Sequence, residues 1–208
     1  MQFKVCGITS VDQANLLDVM GVHYIGFIFY PTSKRYALDK LTLDELAIFK
    51  PEHAKKVGVF VNEPLDQLLN IVNKAGLDMV QLHGDEDVTY CAAVEKIIPV
   101  IKVFRVGGLL PDFVPFEQVA SYFLFDTDSK TYGGTGQHFN WELLKNTPIP
   151  KPYFLSGGIG PNDEQGIIVL KNTTAGKTLA AVDLNSQFET LPGIKDLEKL
   201  KTFINVCI

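Results

Sequence analysis

The feature that most constrains this chain is a repeated alternation. Short apolar, β-rich runs of about five residues are separated by longer amphipathic stretches of roughly ten, the pattern of βα units that feed a parallel sheet. The strand candidates are Phe3–Cys6, Tyr24–Phe29, Lys56–Val61, Met79–Leu82, Val100–Phe104, Tyr122–Phe125, Tyr153–Leu155 and Ala180–Leu184. Most are continuously apolar, as strands covered on both faces must be. Eight such units is the count for a closed (β/α)8 TIM barrel; an open doubly wound sheet is the competing arrangement. A chain of 208 residues can bury one large core, and no linker, low-complexity tract or charge block divides it, so one barrel domain over residues 1–208 is expected.

Helical signals fill the gaps. Ser10 with Gln13 reads as a capping box for the first helix. Pro64 suits the first turn of a helix through Leu68, Leu69 and Val72, which Gly76 can close. The stretch from Leu41 to Phe49 carries a 3.6-residue apolar period and stops before Pro51. Ile194, Leu197, Leu200 and Phe203 give the last helix the same face.

Composition excludes several classes of partner. Apolar residues make up 46% of the chain, and the formal net charge is -5 with scattered basic residues, which argues against nucleic-acid binding and membrane-surface binding. No apolar run approaches the roughly 20 residues of a membrane helix, and the first residues do not read as a secretory signal. Cys6, Cys91 and Cys207 are odd in number and widely spaced, unlike a disulfide framework or a zinc motif. A reducing, cytoplasmic location is the simpler expectation.

In a barrel, functional groups lie where strands end and loops begin. Polar residues and glycines gather at those positions. Cys6 sits at the end of the first strand candidate; the turn through Gly7, Ile8 and Thr9 leads into a helix whose amino end would favour a thiolate. Asp126 follows Tyr122–Phe125, where burial would favour the protonated acid; Asp128 is a more solvated alternative. A thiolate and a carboxylic acid on one rim would make a base and an acid. The alternatives are an inert buried thiol and an exposed turn aspartate. None of His23, His53, His83 and His138 is placed by sequence as a partner for Cys6, which disfavours a cysteine hydrolase.

Arg35, in a turn-rich segment after an apolar strand, could grip a planar carboxylate bidentately; Lys34 beside it reads as solvent-facing. Ser156-Gly157-Gly158, before a helix opened by Pro161, and Asp183-Leu184-Asn185-Ser186, after the last strand, are placed to hold a phosphate. His83 reads equally as a satisfied strand-end group or a substrate contact. Gly133-Gly134-Thr135-Gly136 lacks the spacing of a dinucleotide fingerprint and reads as a mobile loop beside Asp126.

Taken in order, these segments resemble the phosphoribosylanthranilate isomerase family along almost the whole chain. The matching motifs are Lys4-Val5-Cys6-Gly7-Ile8-Thr9, the segment from Gly26 to Tyr36, and Val57-Gly58-Val59-Phe60-Val61-Asn62. Val80-Gln81-Leu82-His83-Gly84-Asp85, Phe125-Asp126-Thr127, Ser156-Gly157-Gly158, Val182-Asp183-Leu184 and Pro192-Gly193-Ile194-Lys195-Asp196 match as well. The resemblance implies a (β/α)8 barrel, monomeric or homodimeric, that needs no cofactor or metal and acts on a small phosphorylated substrate. The implied reaction is the Amadori rearrangement of N-(5-phosphoribosyl)anthranilate to 1-(2-carboxyphenylamino)-1-deoxyribulose 5-phosphate. It further implies Asp126 as general acid, Cys6 as general base and Arg35 on the anthranilate carboxylate. Gly157, Gly158, Asn185 and Ser186 would hold the phosphate. Two positions depart from the family pattern. Gln187 stands where a glycine is usual, and Lys34 where a proline is usual. A non-catalytic phosphometabolite-binding barrel and a related sugar-phosphate isomerase or synthase are the alternatives; no lysine–glutamate pair at strand ends points to a synthase, and the histidines are not spaced as metal ligands.

Overall fold

A computed structural model describes residues 1–128 and 138–207. Eight parallel strands close on themselves in chain order: β1 (Gln2–Cys6), β2 (Tyr24–Ile28), β3 (Lys55–Phe60), β4 (Met79–Leu82), β5 (Val100–Val106), β6 (Tyr122–Thr127), β7 (Tyr153–Leu155) and β8 (Leu179–Leu184). The closed barrel, not the open sheet, is the architecture. Closure is made by β1 against β8, with Lys4 opposite Asp183 and Val5 opposite Leu184.

Side chains on a strand point alternately to its two faces. One set of buried residues, including Phe3, Val5, Ile25, Phe27, Val80, Phe123 and Val182, belongs to the large core shared with the helices. The alternate set fills the barrel: Tyr24, Val57, Met79, Ile101, Leu124, Phe154 and Ala181 form a second cluster. Continuing that inner set toward the carboxyl ends of the strands gives Cys6, Gln81, Asp126 and Asp183. The apolar filling below therefore carries a polar layer at one mouth.

The helices are α1 (Val11–Val19), α2 (Leu43–Ile48), α3 (Leu65–Ala75), α4 (Val88–Glu95), α5 (Glu142–Lys145), α6 (Glu164–Lys171) and α7 (Leu197–Cys207). None is long and apolar enough to cross a membrane. The Ser10 hydroxyl caps α1 by accepting the Gln13 N–H, but the reciprocal half of the expected capping box is absent. The Gln13 side chain instead pairs with the backbone of Lys195, donating to its carbonyl at 3.3 Å and accepting its N–H at 3.1 Å. The complete capping box is at Thr42 and Glu45, opening α2. Pro64 is the cap residue just before α3, and Gly76 ends that helix at φ 63°.

Two regions depart from eight regular βα units. Between β5 and β6 there is only a short 3-10 turn, Val114–Phe116. Phe113 and Phe116 from this segment pack edge-on and tilted against Phe104, Phe123 and Phe125, so aromatic rings cover the outer face where a helix would lie. After β8 the chain forms a small antiparallel hairpin, β9 (Glu189–Leu191) and β10 (Ile194–Lys195), before α7. Ile194, expected on the last helix, is therefore a half-exposed hairpin residue, while Leu200 and Phe203 are buried as the period requires.

One buried carboxylate fixes the approach to β3. Asp18 on α1 accepts backbone N–H groups from Glu52 (2.7 Å), His53 (3.0 Å) and Ala54 (2.7 Å). Burial opposes its charge, but those three donors outweigh it and hold the carboxyl below its usual range. Asp18→Ala should cost about 2–3 kcal/mol in urea denaturation, because buried donors lose a charged acceptor. The folded value being depressed, the deficit should be full above the unfolded carboxylate pKa of about 3.9 and shrink as pH falls through the lower folded value. An Ala variant as stable as the parent near neutral pH would show that the N–H groups find other partners.

Candidate active site

The polar layer opens into a cavity of about 540 Å3, counted with its mouth, at the carboxyl ends of the strands. Cys6 from β1 and Asp126 from β6 both line it, as do His83, Gly157, Gly158, Asn185 and Ser186. Strand ends roughly 120 positions apart in the chain meet there because the barrel closes.

Cys6 is 4% exposed, at the end of β1 and paired with Gly26 of β2. A β-carbon at position 26 would lie 2.8 Å from the Cys6 Sγ, so the glycine leaves the room that the sulfur occupies. Lys4, one strand period below on the same face, is fully buried. Its Nζ donates to Asp183 Oδ1 at 2.9 Å, and its positive charge acts on the thiol two residues along the same strand face. Ser156 Oγ donates to the other Asp183 oxygen at 3.4 Å. Burial pushes the Cys6 thiol up, with the Lys4 ammonium pulling against it. This corrects the expectation of a lowered thiol. The helix α1 starts only at Val11, beyond the turn, and desolvation dominates at the sulfur.

Asp126 is part-buried, its side chain 21% exposed. Its Oδ1 accepts the Thr127 N–H at 2.8 Å, and its Oδ2 is 3.1 Å from His83 Nε2. On the far side of that ring, Nδ1 is 3.0 Å from the side-chain nitrogen of Gln81, a residue only 1% exposed. If the Gln81 amide donates to Nδ1, the ring proton is on Nε2, facing Asp126. Gln81, His83 and Asp126 thus form one chain of contacts along the cavity wall. Asp128, the alternative acid, is exposed.

The β7 turn approaches this wall closely. Gly157 has φ 92° and Gly158 φ 70°, values that favour glycine, and a β-carbon at 157 would lie 2.6 Å from the Thr127 backbone nitrogen. Across from it, Asn185 Oδ1 accepts from Lys195 Nζ at 2.8 Å. Gln187, at the usual glycine position, lies in the 3-10 turn Ser186–Phe188. Among the described residues only Asn62 is a non-glycine with positive φ, so that substitution does not strain the loop.

Arg35 sits beside the cavity rather than in its lining. Its side chain runs across Gly7, and its Nε and Nη2 donate to the Glu189 carboxylate, at 2.9 and 2.6 Å. Glu189 also accepts from Lys195 Nζ at 2.7 Å and from the Gly193 N–H at 3.0 Å. Burial opposes the charge on Glu189, but these partners hold its carboxyl below the usual range. Lys34 is exposed. Gly133-Gly134-Thr135-Gly136 lies outside the described residues. Sequence reasoning gave no part to Gln81, Lys4, Glu189 or Lys195. The first two were within reach, since each stands two residues before an assigned group on one strand face. The hairpin residues carried no such signal.

Residues 3–206 match the family model for N-(5'-phosphoribosyl)anthranilate isomerase. The curated N-(5'-phosphoribosyl)anthranilate isomerase of Aquifex aeolicus is 39% identical over 207 residues, covering 98% of this chain and 97% of that one. The crystal structure of phosphoribosyl anthranilate isomerase from Thermus thermophilus superposes with a TM-score of 0.82 at 27% identity, covering 99% and 98% of the two chains. A second isomerase structure, solved in complex with reduced 1-(o-carboxyphenylamino)-1-deoxyribulose 5-phosphate, superposes with a TM-score of 0.75 at 30% identity, covering 100% and 98%. With a family model matched over residues 3–206 and a 39% identical relative covered almost end to end, this chain belongs to the phosphoribosylanthranilate isomerase family.

Proposed function

We propose that the cavity carries out the family's Amadori rearrangement with Asp126 as general acid and Cys6 as general base. The observation that carries this reading is that the two residues line one cavity together with both candidate phosphate loops. The substrate phosphate would be held by backbone N–H groups of the Gly157–Gly158 turn and by the Asn185–Ser186 loop. The ribose would then lie between the ends of β1 and β6.

Ring opening comes first. Asp126 protonates the furanose oxygen, the C1–O bond breaks, and the anilino nitrogen lone pair forms an iminium. Cys6, as thiolate, then removes the C2 proton, and the C–H electrons flow toward the iminium to give an enolamine. Proton transfer to C1 and loss of the O2 proton yield the aminoketone. The iminium is the electron sink that other enzymes draw from a cofactor. His83 Nε2 lies close enough to Asp126 to pass it a proton between turnovers. Cys6→Ala and Asp126→Asn should each lower kcat by about 10²-fold or more in a fluorescence assay of substrate loss, as expected for general acid–base groups. Near-parental turnover in a folded variant would remove that residue from its role.

Arg35 is the residue best suited to the anthranilate carboxylate. Glu189 takes its Nε and Nη2, and among the described residues no hydrogen bond reaches Nη1, so one edge of the guanidinium can still donate. Arg35→Met should raise KM by about 10-fold or more while kcat falls less, since a charge-assisted hydrogen bond contributes about 1.5–3 kcal/mol. Arg35→Lys should not restore it, because lysine lacks the planar fork. An unchanged KM in both variants would place the carboxylate elsewhere. We read the enzyme as cytoplasmic: all three cysteines are free and buried, and the base is a thiol that must stay reduced.

A further inference from the structure

The buried groups beneath Cys6 are not used by the acid–base scheme above, and their arrangement is specific. Lys4 has no solvent contact, Asp183 is 6% exposed, and the two face each other in the β1–β8 register. The Lys4 ammonium hydrogen-bonds Asp183 at 2.9 Å, and Cys6 follows two residues later on the same strand face, near enough for its thiol and the ammonium to act on each other. Two acidic groups, a thiol and a carboxyl, therefore flank one fully buried ammonium, and both are almost shielded from water at the cavity wall. A single buried positive charge balances one negative charge; two anions there would leave one uncompensated, at a large desolvation cost.

We propose that Cys6, Lys4 and Asp183 form a buried proton-sharing triad in which one negative charge resides either on the Asp183 carboxylate or on the Cys6 sulfur, with the Lys4 ammonium serving both. In the resting enzyme Asp183 holds the charge and Cys6 is a thiol. The thiolate forms when Cys6 gives its S–H proton to Lys4 Nζ while Lys4 passes one of its own N–H protons to Asp183 Oδ1. The sulfur becomes a thiolate, the carboxylate a carboxylic acid, and the ammonium is unchanged. No proton enters or leaves the site. The inference rests on Cys6 being the base, and it supplies what that reading lacks, a route to the thiolate from a desolvated thiol. Ring opening provides the trigger, because an iminium beside the sulfur favours the form with the charge on Cys6.

The other charged groups around the site fit this account. Lys195 on β10 favours the thiolate from the outer side. From β6 and the turn after β4, Asp126 favours the protonated form of Asp183 and His83 opposes it. Ser156, just after β7, contributes a hydroxyl to Asp183. Burial pushes both the Cys6 thiol and the Asp183 carboxyl up, while Asp183 and Cys6 together outweigh burial and keep Lys4 protonated. These are coupled titrations, and the macroscopic behaviour belongs to the triad rather than to one member. Lys4 and Asp183 are thus positioning residues that act through Cys6.

The test titrates the sulfur without substrate, by the pH dependence of Cys6 carboxamidomethylation with iodoacetamide. Site-resolved mass spectrometry separates Cys6 from Cys91 and Cys207. The parent enzyme should react with a midpoint above the ordinary thiol value of about 8.5. Lys4→Met should raise the midpoint further and slow the reaction near neutral pH by about 10-fold or more. Asp183→Asn should do the opposite and bring the midpoint below the ordinary value, because Lys4 is left with the sulfur as its one anionic partner. Mere loosening of the site could only return the midpoint toward the ordinary value, in both variants alike. Midpoints that shift in the same direction in the two variants would overturn the triad. If Lys4→Met does not fold, Lys4→Gln replaces it; and an Asp183→Asn midpoint at or above the ordinary value overturns the proposal on its own. The readout is separate from turnover: an active Cys6→Ala enzyme would remove Cys6 as base while leaving the alkylation result to stand.

Discussion

Pairing of β1 with β8 is the contact on which the rest of the structure depends. It turns eight parallel strands into a closed ring, so that all their carboxyl ends share one mouth. It also sets Lys4 opposite Asp183, which places the buried charges directly under the cavity floor. Without that seam Cys6 would end an edge strand, with Lys4 and its carboxylate partner in water. Closure creates both the cavity and the low dielectric that gives the charges beneath it their leverage.

The period of two along each strand then sorts the chemistry. Apolar residues fill the lower barrel and polar ones its mouth, with the same face of β4, β6 and β8 supplying both. Two proton-holding groups result, on different walls. Gln81, His83 and Asp126 run along β4 and β6, whereas Cys6, Lys4 and Asp183 gather at the β1–β8 seam. The first is part-open to solvent and can be reprotonated from it. The second is almost fully buried, with Cys6 and Asp183 reaching the cavity wall and Lys4 beneath them. The acid and base proposed here, Asp126 and Cys6, thus differ in their relation to water, which suits a reaction in which one group gives a proton and the other takes one within a single turnover.

Much of this was legible in the sequence, for physical reasons. Doubly covered strands must be continuously apolar, and that local signal located all eight; Met79–Leu82 and Tyr153–Leu155 coincide with the observed strands. Cys6, Asp126, His83, Gly157, Gly158, Asn185 and Ser186 were legible as a group because a barrel gathers strand ends. What the sequence concealed is non-local. Gln13 looks like a helix cap, yet its amide is engaged by Lys195 across 182 positions. Arg35 looks like an open fork until the β9–β10 hairpin brings Glu189 to it, and that hairpin is too short to leave a pattern. The thiol was read from the helix that follows it. Its titration is governed instead by desolvation and by a lysine two residues earlier, which shares its strand face.

The central claim is that a sulfur and a carboxyl group act on one sugar from two walls of the same cavity. The most direct measurement is a crystal structure of this enzyme with a product analogue reduced at its ketone. The account predicts the phosphate on the backbone of the Gly157–Gly158 and Asn185–Ser186 loops, with the C1–C2 unit between the Cys6 sulfur and the Asp126 carboxyl and in contact with both. A phosphate seated at another part of the rim, or a C2 out of reach of the sulfur, would contradict it.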